Sequence, residues 1–333
     1  MNEIDVLLPF HRDDVLLQHA VDSISQSEGL KPRLLLIDDR EIKSPLNLKV
    51  PTNIENEIIL NLEENGYGNA LRASLNYLTH RHVALMNSDD LVSRHRFKAQ
   101  IDSIKDSDLS IARMQSINKG GSHRSLTGSL ICPEYSDNFL ILGAYGANAT
   151  WVMKKEWWEK QELDNMQFLD WRIALKSFPT AKISYVNRPL YFYRQHNSQI
   201  NYSTLPDSQI INLYEIWKKF VLMKNLPAPS FEVFLFFALP WKRSSVNDIN
   251  RILEWSDLLN NFAAFQNPFV QDSFIKLLER RFAIGVTISE QSAHDRIRML
   301  SKSGKQISSM LFDFFHNSLT NLKNEATEIY KYV

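Results

Sequence analysis

Along the N-terminal part of the chain, apolar and polar positions alternate between two rhythms. Ile4–Pro9 (IDVLLP) and Arg33–Ile37 (RLLLI) are short, nearly continuous apolar runs, and Glu57–Leu62 (EIILNL) and His82–Met86 (HVALM) repeat the pattern. Runs of this length predict strands buried on both faces. Between the first two, Leu17, Ala20, Val21 and Ile24 recur at helical spacing behind Asp13 and Asp14, residues suited to cap a helix start. Asn69–Thr79 puts Ala70, Leu71, Leu75 and Leu78 on one helical face. Arg94–Ile104 does the same with Phe97, Ile101 and Ile104, leaving Arg94, His95, Arg96 and Lys98 for a solvated side. Leu109–Met114 predicts a further strand. Strand–helix alternation of this kind predicts an α/β fold, a mostly parallel sheet flanked by helices on both faces.

The rhythm loosens over about 115–200. Gly120–Ser122 and Ser125–Ser129 read as loop, and Ala149–Met153 (ATWVM) as a strand before a helix-like KKEWWEKQEL. Asn165–Phe178 predicts a helix that contains Asp170, and Ile183–Val186 and Leu190–Tyr193 predict two short strands. From Pro206 onward only helical patterns remain, punctuated by Pro227, Pro229, Pro240 and Pro268. Leu311, Phe315, Leu322, Ala326 and Ile329 form one stripe near the end. Two domains follow, 1–205 and 206–333, the second all-helical. A length of 333 residues agrees with two at roughly 150 residues per domain.

Composition narrows the function classes. Lys plus Arg number 38 and Asp plus Glu 38, with a pI of about 7.1. A surface that bound nucleic acid through its phosphates would be expected to be more basic, so no nucleic-acid partner is expected. The lone Cys132 supplies neither an internal disulfide nor a Cys-rich zinc site. No run approaches the ~18 apolar residues of a spanning helix. The start, MNEIDVLLPF, lacks a basic leader region and passes straight into a strand. The expectation is a soluble, cytoplasmic protein.

Candidate chemistry lies where the predicted strands end, because open parallel sheets bind ligands beyond the carboxyl ends of their strands. Strand one delivers Phe10-His11-Arg12, strand two Asp38-Asp39, strand three leads to Asn65-Gly66, and strand four delivers Ser88-Asp89-Asp90. The first turn, Pro9-Phe10-His11-Arg12, has no glycine, which excludes the G-x-G-x-x-G dinucleotide turn, and no P-loop pattern occurs anywhere. His80 and His82 have no third ligand near them in sequence, which argues against zinc.

In their order these residues resemble glycosyltransferase family 2, the inverting group with a GT-A fold and a Rossmann-like nucleotide-binding half. The carrying segments are VLLPFHRDD, LLLIDDR, NGYGNALRASLNYL and VALMNSDDL, followed by Phe168-Leu169-Asp170-Trp171 and Tyr193-Arg194-Gln195-His196. They are similar to the family's P-x-[YF]-N strand end, Asp-Asp strand end, G-x-x-x-A-x-N helix, Asp-x-Asp-Asp run, Glu-Asp-Trp and Tyr-Arg-x-His. The resemblance covers about residues 1–200. Two departures stand out: Asn87 replaces the first Asp of the run, and Leu169 replaces the usual Glu.

The resemblance implies transfer of a hexose from a nucleotide-diphosphate sugar, UDP-sugars first, to a glycan acceptor hydroxyl with inversion. In a cytoplasmic protein it points to capsule, O-antigen or exopolysaccharide synthesis on a lipid-linked acceptor. It implies donor contacts from Pro9, Phe10, His11, Arg12, Asp39, Gly66, Arg72, Ser88, Asp89 and Arg194. Mn²⁺ or Mg²⁺ would sit on Asp89, Asp90 and His196, since hard cations take carboxylates and phosphates together. Asp170 would be the general base. Trp157, Trp158 and Trp171 are either acceptor-stacking rings or core. Two alternatives stay open: a nucleotidyltransferase, and a catalytically degenerate glycan- or partner-binding member, for which Asn87 and Leu169 speak. In the helical region, apolar residues such as Phe274, Leu277, Leu278 and Phe282 alternate with Lys276, Arg280, Arg281, Arg296, Arg298, Lys302 and Lys305. Such a face docks peripherally on an anionic membrane, pairs in a homodimer, or packs on its own domain.

Overall fold

The computed structural model describes residues 3–41, 45–59, 64–118, 120, 137–143, 147–165, 167–196, 206–239 and 249–262, with scattered positions between 271 and 281. The chain divides into two compact units: 1–135 with 145–199, and 136–144 with 200–333.

In the first unit all described strands form one eight-stranded sheet, in the order β3-β2-β1-β4-β7-β6-β8-β5. The strands are β1 (Glu3–Phe10), β2 (Lys31–Asp38), β3 (Glu55–Ile59), β4 (His82–Leu85), β5 (Leu91–Val92), β6 (Leu109–Ile117), β7 (Trp151–Lys154) and β8 (Ile183–Arg194). Only β7 and β5 run against the rest. The first, second and fourth strand expectations are met in place. The third, Glu57–Leu62, overlaps β3 over residues 57–59, and its residues 60–62 lie outside the described residues. At this sheet edge Glu55, Asn56 and Ile58 are exposed rather than buried. The break read at Asn187-Arg188-Pro189 is instead an exposed stretch inside one long strand. There the register between β6 and β8 shifts at Arg113, which lets proline sit within the strand.

β1 is buried along nearly its whole length because β2 and β4 flank it and helix α1 (Val15–Ser25) lies among its core partners. α1 starts at Asp14, whose Oδ1 accepts from Leu16 N at 2.9 Å and Leu17 N at 3.3 Å. That satisfies two of the amide groups a helix start leaves unpaired. Asp13 does not cap; it accepts from Asn47 N at 2.7 Å. Leu17, Ala20, Val21 and Ile24 are buried, as their spacing predicts. The other helices of this unit are α2 (Tyr67–Ser74), α3 (Arg96–Ser103), α4 (Lys155–Trp158) and α5 (Leu169–Ser177).

Arg96 departs from the solvated face expected of it. Its guanidinium is fully buried and donates to the carbonyls of Ala149 (2.6 Å), Leu85 (3.0 Å) and Trp151 (3.3 Å) and to Gln100 Oε1 (3.1 Å). It lies over the rings of Phe97 and Tyr191 at 5.2 and 5.0 Å. Burial pulls its pKa down to about 10, so it keeps its proton at neutral pH. Its partners come from three separate segments, which a helical wheel does not contain.

The second unit carries α6 (Asp207–Met223), α7 (Phe231–Ala238) and α8 (Ile249–Phe262), together with a 3₁₀ turn, Asp137–Leu142. Trp217 Nε1 donates to the Ile141 carbonyl at 2.9 Å and Lys224 pairs with Asp137 at 2.6 Å, which ties that turn to α6. Among the described residues no helix is long and apolar enough to cross a membrane. The stripe from Leu311 to Ile329, Cys132 and, apart from Arg281, the basic residues named between Lys276 and Lys305 lie outside the described residues.

Candidate active site

The carboxyl ends of β1, β2 and β4 face one side of the sheet, because these strands are parallel and in register, Phe10 beside Asp38. The chain leaves β2 through two aspartates that serve different purposes. Asp38 is fully buried and bidentate to Arg40, with Nε at 2.9 Å from Oδ1 and Nη2 at 2.8 Å from Oδ2. Arg40 also lies over the Phe10 ring at 5.6 Å. Asp39 is half-buried, and its Oδ1 accepts from Gly66 N at 2.6 Å. Gly66 caps the start of α2 with φ at 127°, a conformation that side chains rarely adopt.

Pro9 and Phe10, expected in the donor site, are both buried, since β1 is an interior strand. Only His11 and Arg12 of that turn are exposed. Arg72 is exposed on α2 and donates to Asn69 Oδ1 at 2.8 Å. Ser88 is half-buried.

Beyond β4 the chain turns through Asn87-Ser88-Asp89-Asp90 into β5, which pairs antiparallel with the end of β8. That pairing brings the two distant motifs together. His196 Nε2 lies 2.9 Å from Asp89 Oδ2, and Arg194 Nε donates to the Asp89 carbonyl at 2.9 Å. Arg194, read as a donor contact, is itself almost completely buried.

Asp90 points the other way. Its Oδ2 accepts from Tyr191 Oη at 2.6 Å and Asn87 Nδ2 at 3.0 Å, and its Oδ1 accepts from Arg194 N at 2.7 Å. Burial and the neighbouring Asp89 charge push its carboxyl up to about 7, against the pull of those three hydrogen bonds. Asp90 is thus an anchor between the Asn87–Asp90 turn and β8. Asn87 also acquires a reason: an aspartate there would set a second carboxylate against buried Asp90.

Three groups of the expected metal set are therefore divided. Among the described residues no cluster of three His, Cys, Asp or Glu is placed to hold a metal ion. Asp89 and His196 remain as a facing carboxylate and imidazole, a donor pair that suits Mn²⁺ or Mg²⁺ when phosphate oxygens complete the shell. Asp90 would have to give up its three donors to join them.

Asp170 occupies the first turn of α5, and its Oδ1 accepts from Trp171 N at 2.8 Å. A carboxylate there lies at the positive end of the helix dipole. The basic neighbours on its own helix are engaged elsewhere: Arg172 pairs with Asp164, and Lys176 with Glu162 at 2.5 Å. The approach to α5 packs on the donor-side loop, for a Cβ on Gly68 would lie 1.8 Å from the Asp164 carbonyl oxygen. Trp158 and Trp171 are core residues, and Trp157 packs edge-on to Trp151. Tyr191 and Asp164 stand in no quoted motif as functional positions, and each meets a residue remote in sequence, Asp90 and Gly68. Arg172, which the sequence offers as a partner for Asp170, pairs with Asp164 instead.

Residues 5–165 match the family described as Glycosyl transferase family 2. No curated protein matches the chain. Among solved structures, S. aureus TarS 1–349 in complex with UDP-GlcNAc is 14% identical, with a TM-score of 0.52 over 92% of each chain. The complex of the same protein with UDP gives 14% identity and a TM-score of 0.50, again over 92% of each. The likeness is one of fold, and it matches the GT-A-type sheet and helices expected.

Proposed function

We propose that this chain, which carries a glycosyltransferase family 2 domain over residues 5–165, transfers a hexose from a UDP-sugar to a glycan hydroxyl with inversion. A single arrangement carries the reading. Asp39 with Gly66, Asp89 with His196, and the approach to Asp170 come from separate segments, and the packing of Asp164 and Asn165 on Gly68 and Gly66 ties the last to the first. The UDP-GlcNAc complex of the TarS fold neighbour supports a UDP-sugar as donor.

In this reading Asp39 and the exposed His11 and Arg12 take the nucleoside, and Arg72 the diphosphate or the base. Asp89 and His196 would hold Mn²⁺ or Mg²⁺, which when bound offsets charge on the departing diphosphate. Asp90, Arg194 and Tyr191 keep Asp89 in place. Asp170 takes the proton of the acceptor hydroxyl as that oxygen attacks C1. The C1–O bond to the diphosphate breaks on the opposite face, and UDP leaves. The acceptor is a growing or lipid-linked glycan of a surface polysaccharide, met at the inner face of the membrane.

A donor screen that measures nucleoside diphosphate release across UDP-, dTDP- and GDP-sugars tests the activity. Calorimetric titration of UDP with and without Mn²⁺ tests the metal. Asp89→Ala should remove the Mn²⁺ dependence of binding, and wild-type binding indifferent to EDTA would end the metal-bridged reading.

A further inference from the structure

Asp164, Asn165 and Phe168 stand between two elements that sequence separates widely. At one end Asp164 and Asn165 lie against α2. A Cβ on Gly68 would meet the Asp164 carbonyl at 1.8 Å from oxygen and 2.4 Å from carbon, backbone atoms that no rotamer change can clear. A Cβ on Gly66 would lie 2.0 Å from Asn165 Oδ1, and Asn165 Nδ2 donates to the Asn65 carbonyl at 3.2 Å. Both glycines of the Gly66-Tyr67-Gly68 turn thus admit these two residues.

At the other end Asp164 grips α5. Asp164 Oδ2 accepts from Arg172 Nη2 at 2.7 Å, and its Oδ1 takes Nη1 of the same guanidinium. Arg172 is only 5% exposed while the Asp164 side chain keeps 38% of its surface, so this is a half-buried, bidentate pair. Between the two ends Phe168 sits at φ 57° and ψ 30°, left-handed and costly for a bulky residue. Its ring packs edge-to-face on Trp171 at 6.2 Å. Strain of this kind persists only where the surroundings over-determine it. Asp170 follows two residues later.

We propose that Asp164 is a positioning residue for the transfer step: seated over Gly68 and paired with Arg172, it fixes helix α5, and with it the Asp170 carboxylate, relative to the donor-side helix α2. The proposal rests on the reading of Asp170 as the base. A misplacement of the base by about 1 Å costs on the order of 10²-fold in rate.

The test uses the full chain with Asp164→Asn, which keeps size but removes the charge. Transfer, followed as UDP release, should fall about 10²-fold. UDP affinity by calorimetry should stay within about twofold of wild type, since the contacts to the nucleotide are unchanged. Amide exchange over Leu169–Arg172 should rise. In an Asp170→Asn background the second substitution should reduce transfer no further, because both act through one group. Arg172→Gln should reproduce Asp164→Asn and carries the test if that variant does not fold. Wild-type exchange together with wild-type turnover in both variants overturns the proposal, and so does a fully additive double variant. Full transfer by Asp170→Asn alone would instead remove the base assignment, while the exchange measurement still decides whether Asp164 fixes α5.

Discussion

The two ends of the parallel strands both gather acidic side chains, and they treat them differently. At the amino end Asp5 is fully buried and fully served. It accepts from Thr79 N and His80 N at 2.8 Å each, faces His80 Nδ1 at 2.8 Å, and pairs with Arg33 at 3.1 Å. Arg33 reaches on to Glu57 and to Glu55. At the carboxyl end Asp39 is half-buried and accepts from Gly66 N, and the Asp89 side chain keeps 28% of its surface exposed against His196. The difference teaches that an acidic group closed off by chain donors belongs to the scaffold, whereas a site carboxylate keeps surface for a ligand. By that measure Asp38 and Asp90 are scaffold, although they stand next to site residues in sequence.

The contrast is broken most severely by removing chemistry at one end and charge at the other. Asp170→Asn retains shape but takes no proton, so transfer should fall by about 10²–10⁴ with UDP affinity close to wild type. Retained transfer in a folded variant would show that the carboxyl-end reading is wrong. Asp5→Ala strands the Thr79 and His80 amides while Arg33 keeps Glu57 and Glu55. Each buried donor left without an acceptor costs about 1–3 kcal/mol of stability. Urea denaturation should register that loss while UDP titration of the folded protein stays unchanged. An Asp5→Ala protein of normal stability would mean that the amino-end cluster is not scaffold.

These roles were legible in sequence only to the depth of local pattern. Continuous apolar runs announced β1, β2 and β4, and 3.6-residue spacing announced α1, because both reflect burial of the segment itself. The strand ends announced where ligands bind. What no pattern within one segment contains is pairing between segments. β8 read as two strands because Asn187–Pro189 is exposed, and Arg96 read as surface because its carbonyl partners lie in β4 and around Thr150. Asp89 and Asp90 look alike in sequence, and only the β5–β8 pairing turns one toward His196 and the other toward Tyr191.

A gentler change sharpens the contrast at the nucleotide. Asp39→Ala removes one half-buried carboxylate without emptying the core, so the fold should survive with Tm near wild type. UDP affinity should drop by an amount typical of a charged hydrogen bond, about 1.5–3 kcal/mol. Because Asp39 also receives Gly66 N, Asp39→Asn separates the two effects: its amide oxygen can still accept from Gly66, but its charge is gone. Equal UDP affinity for wild type and both variants would move the nucleoside away from β2.

The smallest effect is a pH dependence of opposite sign at the two ends. Asp90 titrates at about 7 in the folded protein, raised first by burial and then by Asp89, whereas an unfolded aspartate titrates near ~3.9. The folded state therefore holds a proton that the unfolded chain has released. The stability tied to that proton is complete below about pH 4 and is lost as pH rises through about 7. At the amino end His82 behaves in reverse. Burial, then Arg81 and Lys154, lower its pKa below the ordinary ~6.5, so its contribution is present above that pH and is lost as pH falls through the depressed value. Thermal melts across pH 4–8 should show Asp90→Asn flattening the decline toward neutral pH, with a lower Tm at acid pH because its amide cannot accept from all three donors. His82→Gln should instead flatten the decline on the acid side. Each kcal/mol corresponds to about 2–4 °C for a domain of this size, so shifts of a few degrees are expected. An Asp90→Asn protein whose Tm keeps the wild-type slope would show that the buried proton is held elsewhere, and Asp90 would then rejoin Asp89 as a charged group of the site.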